Sequence, residues 1–380
     1  MQESMGDKQR QVSKPNLDSF SVHELVAAMA PSDQVLDVFQ RQPLPSTSTE
    51  DNYVSRQDAF ARLIQYLWND EMGPSKRYLQ HLTKRFVKMQ EEENDRPVES
   101  DELMTLIFQI VSTLPSDCLP DQEEMCVLSF TVHPKDTLPL RIRVFPQHND
   151  VALRLWEAGA VLAEYLLQNR SLVQGNRIIE LGAGVGLTGL VAVGCCGALD
   201  VCMTDYTDAC LDNTRHNIAI NGDWLDEQRR NTESNENSGV CVSYLDWYDY
   251  EDEGPLDDRL VLPSFEALSN ADILLTADVA YDWSATSCLA KTIRRFLTTN
   301  SSEAPKRVLF ATILRSKKSF ELFEREIASI GIKSRVLATG SDCDNLPVVF
   351  PTNFVQPRND IRIFSLGLAR PQELRYCSES

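Results

Sequence analysis

The chain has 380 residues, with 37 Lys and Arg against 56 Asp and Glu and a formal net charge of −19. At roughly 150 residues per domain, that length predicts two or three domains with at least one sizeable core. The charge balance argues against the positive footprint of non-specific nucleic-acid binding, and favours a basic partner or a small cation.

The ten cysteines run from Cys118 to Cys377 without a C-x-x-C pair. That is neither a zinc pattern nor a disulfide framework, so buried thiols in a reducing compartment are expected. No cluster of basic residues marks any of them as redox-active. The histidines (His23, His81, His133, His148 and His216) are too scattered for a metal site. No segment reaches the ~18 apolar residues of a membrane helix. The start, Met1 to Lys8, has early acids and no apolar stretch, unlike a secretory or transit peptide. A cytoplasmic monomer that binds neither membrane nor nucleic acid is expected.

Residues 1–52 are rich in Gln, Ser, Pro and Asp and read as a disordered leader, ended by the linker Pro43 to Thr49. The helical period then begins. Phe60, Leu63, Ile64, Leu67 and Trp68 share one helix face, and Gly73-Pro74 ends it. Ser75 caps a second helix with Leu79, Leu82 and Phe86 inward, and Ser100 caps a third. Residues 53–115 are thus expected to form a small helical domain. Val127 to Val132 and Leu140 to Phe145 predict a β-hairpin within a connector, 116–150. A helix is expected over Val151 to Leu167.

Beyond it, short β runs alternate with helices. Strands are predicted near Arg177–Leu181, Asp200–Thr204, Val240–Leu245, Ala271–Ala277, Arg307–Ile313, Ile332–Leu337 and Asp360–Leu368. Helices are predicted near Leu187–Cys196, Asp208–Asn221, Ala285–Thr298 and Ser319–Ser329. This is the pattern of a doubly wound, mostly parallel α/β sheet over 151–380, with the last two strands antiparallel because no helix separates them. The polar stretches Asp223–Gly239 and Tyr248–Arg259 read as surface loops.

Glu180-Leu181-Gly182-Ala183-Gly184-Val185-Gly186 follows a strand and opens a helix. Glycines let the backbone turn sharply and approach a ligand, and the helix start offers unpaired N–H groups. The spacing is G-x-G-x-G, not the dinucleotide G-x-G-x-x-G. An acid at the strand tip repels a pyrophosphate but suits a ligand carrying an ammonium and a sulfonium, such as S-adenosylmethionine. The second strand ends in Asp205, which alone reads as a helix cap. Behind the glycine turn it reads as a contact to ribose hydroxyls. The third ends in Leu245-Asp246-Trp247, which fits an adenine amino group and ring; a half-buried aromatic at a strand end explains the tryptophan as well. The fourth ends in Ala277-Asp278-Val279-Ala280-Tyr281, whose carboxylate and phenol suit a flexible cationic amine better than a planar base. A helix cap is the alternative for Asp278.

The run E-L-G-A-G-V-G-L-T-G-L, then L-D-W, then A-D-V-A-Y-D resembles the family-16 seven-β-strand protein lysine methyltransferases, and Trp156 matches their W-x-A element. Pro74 to Tyr78 and Glu99 to Leu103 resemble the helical domain of the branch that modifies translation elongation factor 2. The resemblance covers about residues 55–370. It implies a Rossmann-like class I methyltransferase sheet behind a small helical domain, S-adenosyl-L-methionine as cofactor, and elongation factor 2 as protein partner. It further implies cofactor contacts at Trp156, Gly182, Ala183, Gly184, Gly186, Asp205, Trp247 and Ala277, with Glu180 toward the methionine end and Asp246 toward the adenine. Asp278 and Tyr281 would be the catalytic, acceptor-side pair. Histidine or another protein substrate on the same fold, and a non-catalytic interaction module, are the alternatives. The acidic run from Asp246 to Asp258 reads as a solvated face, or as a means of steering a lysine-bearing surface.

Overall fold

The computed structural model describes residues 17–42, 55–94, 100–112, 125–146, 150–232, 239–250, 268–280, 284–299, 305–314, 317–354 and 357–369. Five helices come first: α1 Val22–Ala27, α2 Ser32–Arg41, α3 Arg56–Trp68, α4 Lys76–Asn94 and α5 Asp101–Ser112. The apolar faces of α3 and α4 bury Phe60, Ile64, Leu67, Leu79, Leu82 and Phe86, as their spacing predicts. Phe60 stacks on Phe86 at 3.9 Å between centroids, and Phe39 meets both edge-on at 5.7 Å. The predicted caps form: Ser75 Oγ accepts from Tyr78 N and Ser100 Oγ from Leu103 N.

Residues 17–42 correct the disordered leader. Ser21 and Glu24 form a capping box that starts α1, and Leu25, Val26, Val35, Leu36 and Phe39 join the same core. Each helix is too short to persist alone, so its order depends on packing against α3 and α4, which local composition does not reveal. The linker 43–49 lies outside the described residues.

Next, β1 (Cys126–Phe130) and β2 (Leu140–Val144) pair antiparallel as the expected hairpin, Cys126 opposite Val144. The far edge of β2 is satisfied by a helix. On α8 (Asp208–Ile220), with Asn221 at its C-cap, asparagines recur every fourth residue. Asn217 accepts from Arg143 N and donates to Arg143 O, and Asn221 does the same for Arg141. Four residues of helix rise about 6 Å and two of strand about 6.8 Å, so the two repeats stay in step.

The expected helix over 151–167 is shorter. Residues 151–153 form a 3-10 turn capped by Asp150, and α6 runs Glu157–Gln168 with Trp156 as its N-cap. The Asp150 side chain accepts from Ala152 N and closes that turn, so the chain must extend again before α6 begins.

The seven-stranded sheet has the order β5-β4-β3-β6-β7-β9-β8. Its strands are β3 Arg177–Leu181, β4 Asp200–Asp205, β5 Gly239–Tyr244, β6 Ile273–Ala277, β7 Arg307–Ile313, β8 Ile332–Ala338 and β9 Ile361–Leu368. β3 to β7 are parallel, and β9 inserts antiparallel between β7 and β8. Helices α6 and α7 (Leu187–Cys195) cover one face; α10 (Thr286–Thr298) and α11 (Lys317–Ser329) cover the other. Ile178 packs into the first layer and Ile179 into the second, the alternation of a doubly buried strand.

The loop expected over 223–239 is largely helical instead. Helix α9 (Gly222–Thr232) buries Trp224 and Leu225. Its Glu227 accepts from Thr137 N, Thr137 Oγ1 and Leu138 N in the hairpin turn. Its polar composition masked a narrow apolar face. Of the other expected loop, 247–250 is a 3-10 turn and 251–259 lies outside the described residues.

Between β8 and β9, α12 (Gly340–Asp344) and the segment 345–354 tie the molecule together. Val348 packs on the five-helix core and Phe350 on Phe130 of the hairpin. Val349 N and Phe350 N donate to Oε1 of buried Glu164 on α6, whose Oε2 lies 2.6 Å from Arg358 Nη1. Among the described residues, no helix is long and apolar enough to cross a membrane, and no three His, Cys, Asp or Glu are grouped to hold a metal ion.

Candidate active site

The carboxyl ends of β3, β4 and β6 converge where crossover loops part, the usual place for a ligand in an open parallel sheet. After β3 the chain turns through Gly182 at φ +62° and Gly184 at φ +55°, a left-handed region that other residues rarely adopt. A Cβ on Gly182 would lie 2.8 Å from Val279 Cγ1 and 3.6 Å from Trp247 Cζ2; one on Gly184 would lie 3.2 Å from Ala152 O.

The turn is held from two sides, by the end of β4 and by α8. Ala183 N donates to Thr204 O, and Gly184 N donates to Asp205 Oδ2 at 3.1 Å. From α8, Thr214 Oγ1 donates to Gly184 O at 2.6 Å and Asn217 Nδ2 to Val185 O at 2.9 Å. The asparagine that satisfies the hairpin edge therefore also fixes the glycine turn.

Asp205 is not a helix cap; Thr207 caps α8. Its second oxygen accepts from Tyr206 N. Burial raises its pKa, and the two backbone N–H donors work against that rise.

These elements enclose a cleft with about 710 Å³ of empty space, open to solvent. The sequence-predicted residues Trp156, Gly182, Gly184, Asp205, Trp247, Ala277 and Asp278 all line it. Trp156 Nε1 donates to Val151 O at 2.8 Å, and the Arg154 guanidinium lies 4.9 Å over its ring, so the indole is held on both sides. Trp247 follows Leu245, whose N–H donates to Asp205 O, so the adjoining ends of β4 and β5 carry one wall. Asp278 has φ +53°, one of two positive-φ residues other than glycine among the described residues, and its N–H donates to Ala311 O at 2.9 Å. The next described helix starts at Thr286 with Ala285 as N-cap, so Asp278 does not cap it.

Four predicted residues are not part of its lining: Glu180, Ala183, Gly186 and Asp246. Side chains alternate along β3, and Glu180 falls on the face under α7, so close that a Cβ on Gly189 would lie 2.7 Å from its Oε2. Burial pushes its carboxyl up to about 8, against the pull of Thr188 and the Gly189 N–H. Asp246 turns back to accept from Tyr248 N. Tyr281 lies outside the described residues.

Asp150, Val151, Ala152, Tyr206 and Val279 line the cleft without having been singled out in the sequence. Asp150 accepts from Ala152 N and from Thr207 Oγ1, joining the loop before Trp156 to the start of α8. Its legible signal is an Asp shortly before the tryptophan; the others carry no distinctive pattern.

The lining fits S-adenosylmethionine. The glycine turn leaves space that side chains would fill, Asp205 presents acceptors for vicinal hydroxyls, the indoles supply flat apolar walls, and the carboxylates suit a cation.

Residues 135–327 match the lysine methyltransferase family model. A protein-lysine N-methyltransferase, EEF2KMT, of Mus musculus is 26% identical over 261 residues, covering 68% of this chain and 71% of that protein. Its Homo sapiens counterpart is 26% identical over 189 residues, covering 50% and 53%. A protein N-terminal and lysine N-methyltransferase, EFM7, of Cryptococcus neoformans is 30% identical over 168 residues, covering 43% and 50%. With the family model spanning half of the chain and the glycine turn, acid and indole walls gathered in one cleft, the chain belongs to the lysine methyltransferase family and is an S-adenosylmethionine-dependent methyltransferase.

Proposed function

We propose that the enzyme methylates a lysine side chain of a protein, and that this protein is translation elongation factor 2. The observation that carries the reading is Asp278: a carboxylate held in a left-handed backbone at the cleft, between apolar Ala277 and Val279. Backbone strain of this kind, about 1–3 kcal/mol, persists where the surroundings enforce it and concentrates at functional sites. The net charge of −19 favours a basic substrate surface, and EEF2KMT proteins are among the relatives.

When bound, S-adenosylmethionine supplies a methyl group on a positively charged sulfur. In this reading Asp205 holds the ribose hydroxyls, the Gly182–Gly184 turn lets the backbone approach the amino-acid end, and Trp156 and Trp247 wall the cofactor. Glu180, at the end of β3, belongs to the methionine end of the site, and Asp246, next to Trp247, to the adenine end. A free lysine has a pKa of about 10.4, so only about one in 2,500 is neutral at pH 7. Asp278 captures and orients the incoming ammonium, and Tyr281 completes the acceptor-side pair. The apolar lining disfavours the charged amine once it is inside, so the proton leaves to water before transfer. Positioning contributes most of the rate. The catalytic unit in this reading is residues 151–380, with the hairpin packed on it through Asn217, Asn221 and Glu227.

The test is methylation of a cell extract with labelled S-adenosylmethionine by the intact enzyme and by Asp278→Asn. Label on lysine in one band of the size of elongation factor 2, lost in the variant while cofactor binding is kept, is the expected result. Label on another protein or on histidine would overturn the substrate. Equal loss of binding and transfer in Asp278→Asn would overturn the role of Asp278.

A further inference from the structure

Cys202 on β4 and Cys241 on β5 are register partners on neighbouring parallel strands. Registered residues of adjacent strands project from the same sheet face, and the strands lie about 4.8 Å apart. That spacing falls inside the range of about 4.4–6.8 Å between Cα atoms that a disulfide spans. Cys202 is buried and Cys241 is exposed, so solvent reaches the pair from the Cys241 side.

Of the eight cysteines among the described residues, only Cys241 is exposed. Burial pushes the thiols of Cys195, Cys196, Cys210 and Cys343 up, away from the reactive thiolate form. Cys241 goes the other way, down to about 7, under the influence of the neighbouring Cys202 thiol; its own partial burial and Asp200 oppose the shift. An accessible thiolate with a resolving thiol beside it is the arrangement of an oxidation-sensitive pair.

We propose that Cys202 and Cys241 form an oxidative modification site that reacts with hydroperoxides and closes to an intramolecular disulfide. The Cys241 thiolate attacks the peroxide, forming an S–O bond and breaking the O–O bond. Cys241 becomes a sulfenic acid, and the displaced oxygen leaves as water after taking a proton from solvent. The Cys202 sulfur then attacks the Cys241 sulfur, the S–O bond breaks, and the hydroxyl departs with the Cys202 proton as a second water. Two thiols and hydrogen peroxide thus give one disulfide and two waters, with peroxide as the oxidant. The bond would pin edge strand β5 to β4 a short distance before Trp247, so the modification bears on the wall of the cofactor cleft.

The test treats the reduced full-length protein with hydrogen peroxide and maps its peptides without reduction. The expected result is a cross-link joining the peptides that contain Cys202 and Cys241, with two thiols lost and both recovered in dithiothreitol. Cys241→Ser should lose thiols about tenfold more slowly at the same dose, because it lacks the one exposed cysteine among the described residues. Cys202→Ala should stop at a sulfenic acid on Cys241, captured by dimedone. A first disulfide or dimedone adduct at any other cysteine, or wild-type thiol loss in Cys241→Ser, would overturn the proposal. Because the mapping uses the unmodified chain, the result stands even if Cys202→Ala fails to fold.

Discussion

Replacing Gly182 by Ala separates two costs that the structure places at one atom. At φ +62° an alanine bears the left-handed penalty of about 1–2 kcal/mol. Its Cβ would also sit 2.8 Å from Val279 Cγ1, and overpacking of a fixed site costs about 1–3 kcal/mol more. The expected loss of stability is therefore about 2–5 kcal/mol. The second cost alone depends on Val279. In the double variant Gly182→Ala with Val279→Ala the contact disappears and the backbone penalty remains. Denaturant unfolding of the two single variants and the double variant gives the coupling, expected at about 1–3 kcal/mol in favour of the pair. Calorimetric titration with S-adenosylhomocysteine should show weaker binding in Gly182→Ala and partial recovery in the double variant, because Cζ2 of the cleft residue Trp247 is the next atom in the path of the Cβ. Additive single effects, within about 0.5 kcal/mol, would refute the steric argument. A Gly182→Ala variant as stable as the parent would refute the conformational one too.

The buried pair Glu164 and Arg358 should be unforgiving of one-sided change: Arg358→Met strands a carboxylate that burial already raises, at a cost of about 3–5 kcal/mol by denaturant unfolding, and adding Glu164→Gln should return part of it. Glu180 should leave a signature in pH. Its folded pKa of about 8 stands above the ordinary 4.5, so its contribution is fully present below about 4.5 and is lost as pH rises through about 8. At about 1.36 kcal/mol per pKa unit the ceiling is about 5 kcal/mol, and Glu180→Gln should abolish the decline between pH 5 and 8. An unchanged slope in that variant would assign the titration to another group.

The sheet was legible because each strand is a short β-branched run between polar turns, as Arg307–Ile313 illustrates with both ends in place. The site was legible for a related reason: Gly182, Asp205, Trp247 and Asp278 stand at or shortly after strand ends, where crossover loops must diverge. Two kinds of information were missing. Which way Glu180 points depends on which face of β3 meets α7, and a strand pattern buried on both sides does not say. The order of α1, α2 and α9 depends on partners distant in sequence, such as Phe86 for Phe39 and the hairpin turn for Glu227, so their polar composition misled.

The position of β9 has a consequence for synthesis. Although β8 precedes it in the chain, β9 lies between β7 and β8 and supplies the backbone partners of both. Until β9 has emerged from the ribosome, β7 keeps an open edge beside Phe310, and β8 has no strand to join. Such an edge is a template for pairing with other chains, so the nascent enzyme passes through an interval of aggregation risk that ends only when β9 closes the sheet. The anchoring of 349–350 on Glu164 adds contacts of long sequence separation to that same late step, which slows it. Ribosome-bound chains truncated before Ile361 should therefore engage holdase chaperones that the full chain releases.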